Sequence, residues 1–337
     1  MVSIDEVARL AGVSTATVSR ALSGRGHVSE RARERVRSAA DSLGYVVSSR
    51  ASSLASGRTQ NVGVIVPFLD RWFFSTVLSG ATSALMRAGY DVTLYNITAD
   101  AAVRREVFST FLRRQRVDAV IAVAIELDGD ETAQLLDLGL PVIGVGGPNP
   151  RLRTLTFDDT AVARLATEHL IGLGHRDIAH IGAAAEFEAD FRVPSRRRLG
   201  FEQALSDANI PADPALFEPA DFTVDGGHRA AIRLLSRPGP RPSAIFAASD
   251  EMAIGALLAA RDLGIDVPDD VSIVGIDGYE LGEFFDLTTV DQFPLAQGER
   301  AAAAILAQLE SAADAAPADL PYELIVRRTT APPRPRP

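Results

Sequence analysis

Cysteine is absent from this chain of 337 residues, and its absence removes several kinds of chemistry at once. No disulfide, thiolate nucleophile or cysteine metal site can form. The five histidines are scattered, and none forms the HExxH pair of a zinc protease. We therefore expect neither a metal nor a cofactor.

Long apolar runs and an export signal are also missing. No uninterrupted apolar stretch approaches eighteen residues, so we expect no membrane span. The N-terminal stretch MVSIDEVARLAGV carries acidic residues where an export signal carries basic ones. These features predict a cytoplasmic protein.

The sequence offers little support for an enzyme. The glycine-rich stretch GVGGPNP at 144–150 has the spacing of neither a dinucleotide-binding loop nor a P-loop. The adjacent acidic pairs Asp158-Asp159 and Asp269-Asp270 point in different directions, so we expect loop and cap residues rather than catalytic pairs.

Charge is distributed unevenly along the chain. The net charge is −10, yet residues 1–58 carry nine arginines and five acids, a net charge of +4, which leaves −14 for the rest. A polyanion would be attracted to the N-terminal segment and repelled by the remainder.

Residues 1–46 predict three short helices. SIDE at the start is a capping box for a first helix that Gly12 ends. Ser14 can cap a second helix that runs to about Leu22, and Ser29 can cap a third. Two short helices joined by a tight turn are typical of a helix-turn-helix.

A serine-rich connector follows these helices. Residues 48–56, SSRASSLAS, contain five serines and one large aliphatic side chain, Leu54. Serine competes with helical backbone hydrogen bonds, so this segment predicts a marginal helix or a hinge, within 47–60.

From Asn61 the sequence alternates between short β-branched runs and amphipathic helices. This alternation predicts an α/β body with two doubly wound parallel sheets, and a ligand cleft at the carboxyl ends of their strands. The predicted strands are 61–66, 91–97, 118–124, 141–146, 177–182, 243–248 and 271–277. The predicted helices are 74–88, 161–173, 195–209, 225–236 and 250–263.

Several of these stretches resemble the lactose-repressor/galactose-repressor family of bacterial transcription factors. They are IDEVARLAGVSTATVSRALSG, ERVRSAADSLGY, RVDAVIAVA, LIGLGHRDIAHIG, RRRLGFEQAL, AIFAASDEMAIGAL, DVPDDVSIVGIDGYE and LTTVDQFP. The resemblance implies a homodimeric repressor that binds a palindromic DNA operator under the control of a small effector, with a body similar to periplasmic sugar-binding proteins.

The resemblance also implies the domain boundaries. These are a helix-turn-helix domain at 1–46, a hinge at 47–60, an N-terminal subdomain at 61–160 and 292–319, a C-terminal subdomain at 161–291 and 320–330, and a tail at 331–337.

In the helix-turn-helix, the family motif places sequence preference at Thr15 and Ala16, and a base-contacting arginine at Arg20. The other DNA contacts that the resemblance implies in this domain are Ser3, Thr17, His27 and Ser29. As alternatives, Thr17 and Ser29 would only cap helices, and Arg20 would be a solvated charge.

In the hinge, the resemblance implies DNA contacts by Ala51 and Leu54, with Leu54 wedged into the minor groove. The alternative is a linker leucine that packs on its own protein. Ser52 stands where many relatives have arginine, and Val46-Val47 where Arg-Pro is common.

The effector contacts that the resemblance implies are Phe73, Phe74, Arg197, Phe222, Ser249, Asp277 and Gln292. The aromatic side chains would stack on a ring, and Arg197 and Asp277 would hold hydroxyls; a neutral sugar or polyol fits best. As alternatives, the aromatic residues belong to the core and Gln292 bonds hinge backbone. Arg71-Trp72 replaces the family's usual Asn-Pro, and Gly146 stands where some relatives have Asp.

Apolar residues in the helices at 75–88 and 250–263 could form a two-fold interface between two copies of the chain. The tail APPRPRP has no leucine heptad for further assembly and is too rich in proline to pack.

The competing function is that of a solute receptor without DNA function. Such a receptor would share the body, but it has no use for a basic helix-turn-helix.

Overall fold

The structure is a computed structural model that describes residues 2–23, 27–45, 57–97, 100–146, 149–183, 192–310 and 319–334. It divides into two compact units, Met1–Asn61 and Val62–Pro337. Ala51 and Leu54, which the sequence places in the hinge, lie outside the described residues. Within the described residues, none of the helices is both long enough and apolar enough to span a membrane.

The first unit contains the three helices predicted from the sequence. They are α1 Ile4–Ala11, α2 Thr15–Ser23 and α3 Glu30–Leu43. The capping box at the start of α1 is present: the Ser3 hydroxyl accepts the Glu6 amide, and the Glu6 carboxylate accepts the Ser3 amide. Gly12 ends α1 in the left-handed conformation, with φ 64°. One fully buried valine from each helix supplies the core of this unit: Val7, Val18 and Val36.

The second unit contains two sheets. The first has the strand order β2-β1-β3-β4-β5 and belongs to the N-terminal subdomain. Its strands are β1 Asn61–Val66, β2 Asp91–Asn96, β3 Ala119–Val123, β4 Val142–Gly146 and β5 Arg153–Thr156. β1, β3, β4 and β5 pair in parallel, and every residue of β3 is buried, as expected for a sheet covered on both faces.

The second sheet has the order β11-β10-β9-β8-β6-β7 and belongs to the C-terminal subdomain. Its strands are β6 Ile178–Ala183, β7 Phe217–Ala220, β8 Ala244–Ala247, β9 Ser272–Asp277, β10 Thr288–Asp291 and β11 Glu323–Ile325. The sheet is parallel except at its edge, where β11 runs antiparallel to β10.

Helices cover these sheets. They are α4 Trp72–Arg87, α5 Ala101–Glu106, α6 Gly129–Asp137, α7 Asp159–Gly172, α8 Val193–Asp207, α9 Val224–Leu235, α10 Asp250–Asp262 and α11 Pro294–Leu309. Because α11 packs on α4 and on the first sheet, the chain crosses between the subdomains after β5, after β10 and again after α11. Gly80 permits the close approach of α4 to α11, since a Cβ there would overlap the Leu295 carbonyl oxygen.

For residues 331–334, the structure corrects the prediction that the tail does not pack, while residues 335–337 lie outside the described residues. The Ala331 amide donates to the Ser272 hydroxyl at 3.0 Å, and the Ala331 carbonyl accepts from His175 Nε2 at 2.9 Å. Arg334 forms an ion pair with Asp269 at 2.5 Å. These bonds engage backbone groups and a surface charge, which the proline-rich composition does not reveal.

Candidate functional site

A cleft of about 1010 Å³, including its open mouth, lies in the second unit where the carboxyl ends of the two sheets meet. Ligands of open parallel sheets bind at this edge. Each of the seven effector residues predicted from the sequence lines the cleft: Phe73, Phe74, Arg197, Phe222, Ser249, Asp277 and Gln292. The structure therefore brings together side chains that lie more than 200 residues apart in sequence.

Aromatic rings form one wall of the cleft. Phe68 lies in the loop between β1 and α4, and Phe73 and Phe74 lie in the first turn of α4. The ring centroids are 5.6 Å apart for Phe68 and Phe74 and 5.4 Å apart for Phe73 and Phe74. Phe157 follows β5, and Phe222 enters from the C-terminal subdomain with φ 57°. Such a wall offers flat apolar surface to a ring-shaped ligand.

A buried polar cluster around Arg197 occupies the floor. The Arg197 Nε donates to Asp159 Oδ1 at 3.0 Å, and its Nη1 lies 2.5 Å from the Ala248 carbonyl oxygen and 3.5 Å from Asp277 Oδ1. Gln292 Nε2 donates to the same Asp277 oxygen at 2.7 Å, and Gln297 donates to the Gln292 carbonyl at 2.8 Å. The guanidinium is thus oriented by two carboxylates, as a planar fork donor can be.

Burial dominates the electrostatics of these carboxylates. Desolvation raises the pKa of Asp159 and raises the pKa of Asp277 well above its ordinary value, and in both cases the Arg197 charge opposes the shift. Asp277 also has φ 132°, a rare conformation for a residue with a side chain, at the point where β9 ends in the cleft. Strained and desolvated groups of this kind are frequent at ligand sites.

The structure corrects the prediction that the Asp158-Asp159 pair consists of loop and cap residues, because Asp159 has a different role. Asp158 does cap α7, because its carboxylate accepts the Ala161 amide at 3.0 Å. Asp159 is instead buried and paired with Arg197. Sequence spacing could not reveal this partner, since 38 residues separate the two.

Ser249 caps helix α10 at the edge of the cleft. Its hydroxyl accepts the Met252 amide at 3.3 Å, and the side chain is buried. The hydroxyl proton can still be donated to a ligand.

Sequence reasoning missed the groups at the mouth of the cleft. Arg71 and Asp221 line it from opposite subdomains, and Arg71 Nη2 donates to the Asp221 carbonyl at 3.4 Å. Glu251 also lines the cleft, and burial raises its pKa to about 7. The departure from the family motif at Arg71-Trp72 was the sequence signal for a change at this place. It does not indicate which residues Arg71 contacts.

The helix-turn-helix side chains occupy the first unit. Thr15, Ala16 and Arg20 are exposed on α2, whose inward face buries Val18 and Ala21. His27 and Ser29 are exposed before α3, while the Ser3 hydroxyl lies in the α1 capping box. A second helix with an exposed polar face can contact base edges in the major groove of DNA.

Two serines behave differently at the starts of α2 and α3. The Ser14 hydroxyl accepts the Thr17 amide at 3.2 Å and lies 2.9 Å from the Thr17 hydroxyl. Ser29 occupies the N-cap of α3 but makes no side-chain cap hydrogen bond, so the expectation that its side chain caps this helix is wrong. Its exposed hydroxyl can therefore contact another molecule.

Comparisons with known proteins agree with this division. Residues 3–48 match the model of bacterial regulatory proteins of the lacI family, and residues 167–330 match the model of the periplasmic binding protein-like domain. The chain is 34% identical over 302 residues to the HTH-type transcriptional repressor PurR of Vibrio atlanticus, covering 87% of each protein.

Solved structures give the same picture. The complex of the transcriptional regulator CelR with cellobiose is 30% identical with a TM-score of 0.69, covering 98% of this chain and all of the other. The lac repressor dimer bound to operator and the anti-inducer ONPF is 26% identical with a TM-score of 0.84, covering 98% and 99%. The chain belongs to the lacI family of bacterial regulatory proteins and is a DNA-binding transcriptional regulator rather than an enzyme.

Proposed function

We propose that the protein is a homodimeric repressor whose affinity for a palindromic operator is set by a small molecule in the cleft. The observation that carries the proposal is the meeting of the Arg197, Asp277 and Gln292 cluster with an aromatic wall in one cleft. The lac repressor structure, a dimer bound to operator, supports the assembly and the DNA partner. We place the action of this protein in the cytoplasm, where DNA is available.

On the DNA, Thr15, Ala16 and Arg20 of α2 read base edges in the major groove. The supporting phosphate contacts are Ser3, Thr17, His27 and Ser29. In the hinge, Ala51 contacts DNA and Leu54 enters the minor groove, where it unstacks a base step. Leu54→Ala should lower operator affinity at least tenfold, and equal titration curves for mutant and parent would exclude the wedge.

The effector is a neutral sugar or a related polyol. Arg197, Asp277 and Gln292 offer donors and acceptors in the arrangement that vicinal hydroxyls satisfy, while the phenyl rings cover the apolar face of a pyranose. The complex of CelR with cellobiose shows a relative that binds a carbohydrate. Ligand contacts to both subdomains bias their orientation, and the dimer passes this bias to the spacing of its two DNA-binding domains.

The domain boundaries implied by the family resemblance form part of the proposal. They are 1–46 for the helix-turn-helix domain, 47–60 for the hinge, 61–160 with 292–319 for the N-terminal subdomain, and 161–291 with 320–330 for the C-terminal subdomain. The three crossings of the chain between the sheets support the division of the body.

Selection of bound duplexes from a random library tests the DNA function, and a screen of mono- and disaccharides for release from the selected duplex tests the effector. Arg20→Ala should lose DNA binding and keep the ligand-induced rise in melting temperature. Asp277→Asn should keep DNA binding and lose that rise. The proposal fails if no inverted repeat is enriched, or if a cleft ligand stabilises the protein without changing its operator affinity.

A further inference from the structure

The start of helix α4 touches the C-terminal subdomain at two separate points. Arg71 Nη2 donates to the Asp221 carbonyl at 3.4 Å. The Trp72 ring packs on the Tyr279 ring, with centroids 4.7 Å apart. Asp221 follows β7 and Tyr279 follows β9, so the two contacts engage two different segments of the C-terminal subdomain.

Glu251 is a further residue of the C-terminal subdomain that lies beside these contacts. It belongs to the first turn of α10, and it lines the cleft together with Arg71. Its carboxyl therefore lies where the two subdomains face each other.

Burial distinguishes these contacts from an ordinary surface bridge. The Arg71 side chain is only 16% exposed, and its guanidinium also lies 5.6 Å from the centre of the Phe68 ring. By contrast, another ion pair across the cleft, Arg192 with Glu126 at 3.3 Å, joins side chains that are 62% and 40% exposed. An exposed pair contributes little, whereas Arg71, Trp72 and Tyr279 are all partly buried.

We propose that the Arg71-Trp72 segment is a latch that holds the two subdomains together over the cleft. The latch sets the fraction of closed molecules before any effector binds, and it thereby sets the affinity of the cleft for its ligand. The proposal assigns a role to two residues that the family resemblance left without one.

Glu251 makes the latch sensitive to protons. The charged and titratable groups that face it are Arg71 and Asp70 at the start of α4, Asp250 beside it, and Asp277 and Tyr279 at the end of β9. Burial, the largest influence, raises the pKa of Glu251 from 4.5 to about 7 in the closed form. An open cleft would return this carboxyl to water and to its ordinary pKa.

The sign follows from linkage. A pKa that is higher in the closed form means that the closed form binds the proton more tightly, so the equilibrium shifts towards the closed form as the pH falls from about 7 to 4.5. The closing equilibrium should change by up to about 300-fold across the interval from 4.5 to about 7.

This inference deepens the proposed control of the cleft, but its test needs neither an effector nor DNA. Asp130 and Asp225 are exposed at the starts of α6 and α9, which belong to opposite subdomains, and the chain has no cysteine of its own. Cysteines introduced at these two positions can carry a donor and an acceptor dye. A small fraction of labelled protein in excess unlabelled protein keeps energy transfer within one protomer. The emission of Trp72, the single tryptophan, gives a second readout.

We expect energy transfer in the parent to rise as the pH falls through about 7. Glu251→Gln cannot ionise, so transfer should stay high at every pH. Glu280→Gln, which removes an exposed carboxylate near Tyr279, should keep the transition. Trp72→Ala should lower transfer at acidic pH. A parent without a transition, a transition that persists in Glu251→Gln, or unchanged transfer in Trp72→Ala would each overturn the latch, and none of these results bears on operator binding.

Discussion

The Gln292 side chain donates to Asp277 Oδ1 across 2.7 Å, and this bond joins the crossing that follows β10 to the strained end of β9. Gln297 on α11 holds the Gln292 carbonyl in turn. A ligand that takes over the Asp277 carboxylate must therefore compete with a residue of the crossing segment. This competition gives the cleft a direct mechanical connection to the segment that joins the two subdomains.

Arg197 is expected to contribute to stability as well as to ligand binding. Arg197→Met leaves the buried carboxylates of Asp159 and Asp277 without their cation, which should lower the free energy of unfolding by about 3–5 kcal/mol. Urea denaturation measures this loss. Asp159→Asn in the Arg197→Met background should restore part of it, because one unpaired buried charge is then absent. A double mutant no more stable than the single one would contradict this account.

His180 is expected to make the protein sensitive to acid. Its ring is stacked against both Phe201 and Phe246, and its buried Nε2 has no hydrogen-bond partner among the described residues. Burial lowers the pKa of His180 from 6.5 to about 4. Because the folded state binds this proton more weakly than the unfolded state, stability is full above pH 6.5 and falls as the pH drops towards about 4.

The substitution His180→Leu tests this dependence. It removes the titrating group and should flatten the change in unfolding free energy between pH 6.5 and about 4. Chemical denaturation at a series of pH values gives the slope for both proteins. An unchanged slope in the mutant would assign acid sensitivity to other groups.

Much of the fold could be predicted from local sequence. Fully buried strands such as β3 consist of unbroken apolar runs, and caps such as Ser3 and Gly12 mark the helix ends chemically. The four-residue strands β5 and β7 escaped prediction because RTLT and FEPA are short and lack the apolar run, and β7 contains Pro219 at the edge of its sheet. β10, with four residues, and β11, with three, were also not among the predicted strands.

The residues of the site also fall into those that the sequence predicts and those that it does not. Phe74, Arg197 and Asp277 lie in stretches with a family pattern, so the resemblance to the family is enough to predict their positions. Asp159 acts through Arg197 and Glu251 lines the cleft, and only the tertiary fold supplies these surroundings. Their raised pKa values arise from burial, which no local pattern records.

The packing of α4 on α11 should depend on Gly80. A Cβ at this position would overlap the Leu295 backbone, so Gly80→Ala should lower the free energy of unfolding by about 1–3 kcal/mol. Gly172→Ala is the matched control, since Gly172 also belongs to a helix and has open space around it. The control should be neutral or stabilising by up to about 1 kcal/mol. Equal unfolding curves for the two mutants would refute the close contact.

The two serines before α2 and α3 should separate folding from DNA contact. Ser14→Ala removes the hydroxyl that caps the Thr17 amide, so α2 should lose about 1 kcal/mol of stability. Ser29→Ala removes a hydroxyl without a cap bond, so amide exchange in α3 should stay unchanged while operator affinity falls. Hydrogen exchange on the full chain and fluorescence anisotropy with the selected duplex measure the two effects. Faster exchange in α3 of Ser29→Ala, or unchanged affinity, would remove Ser29 from the phosphate contacts.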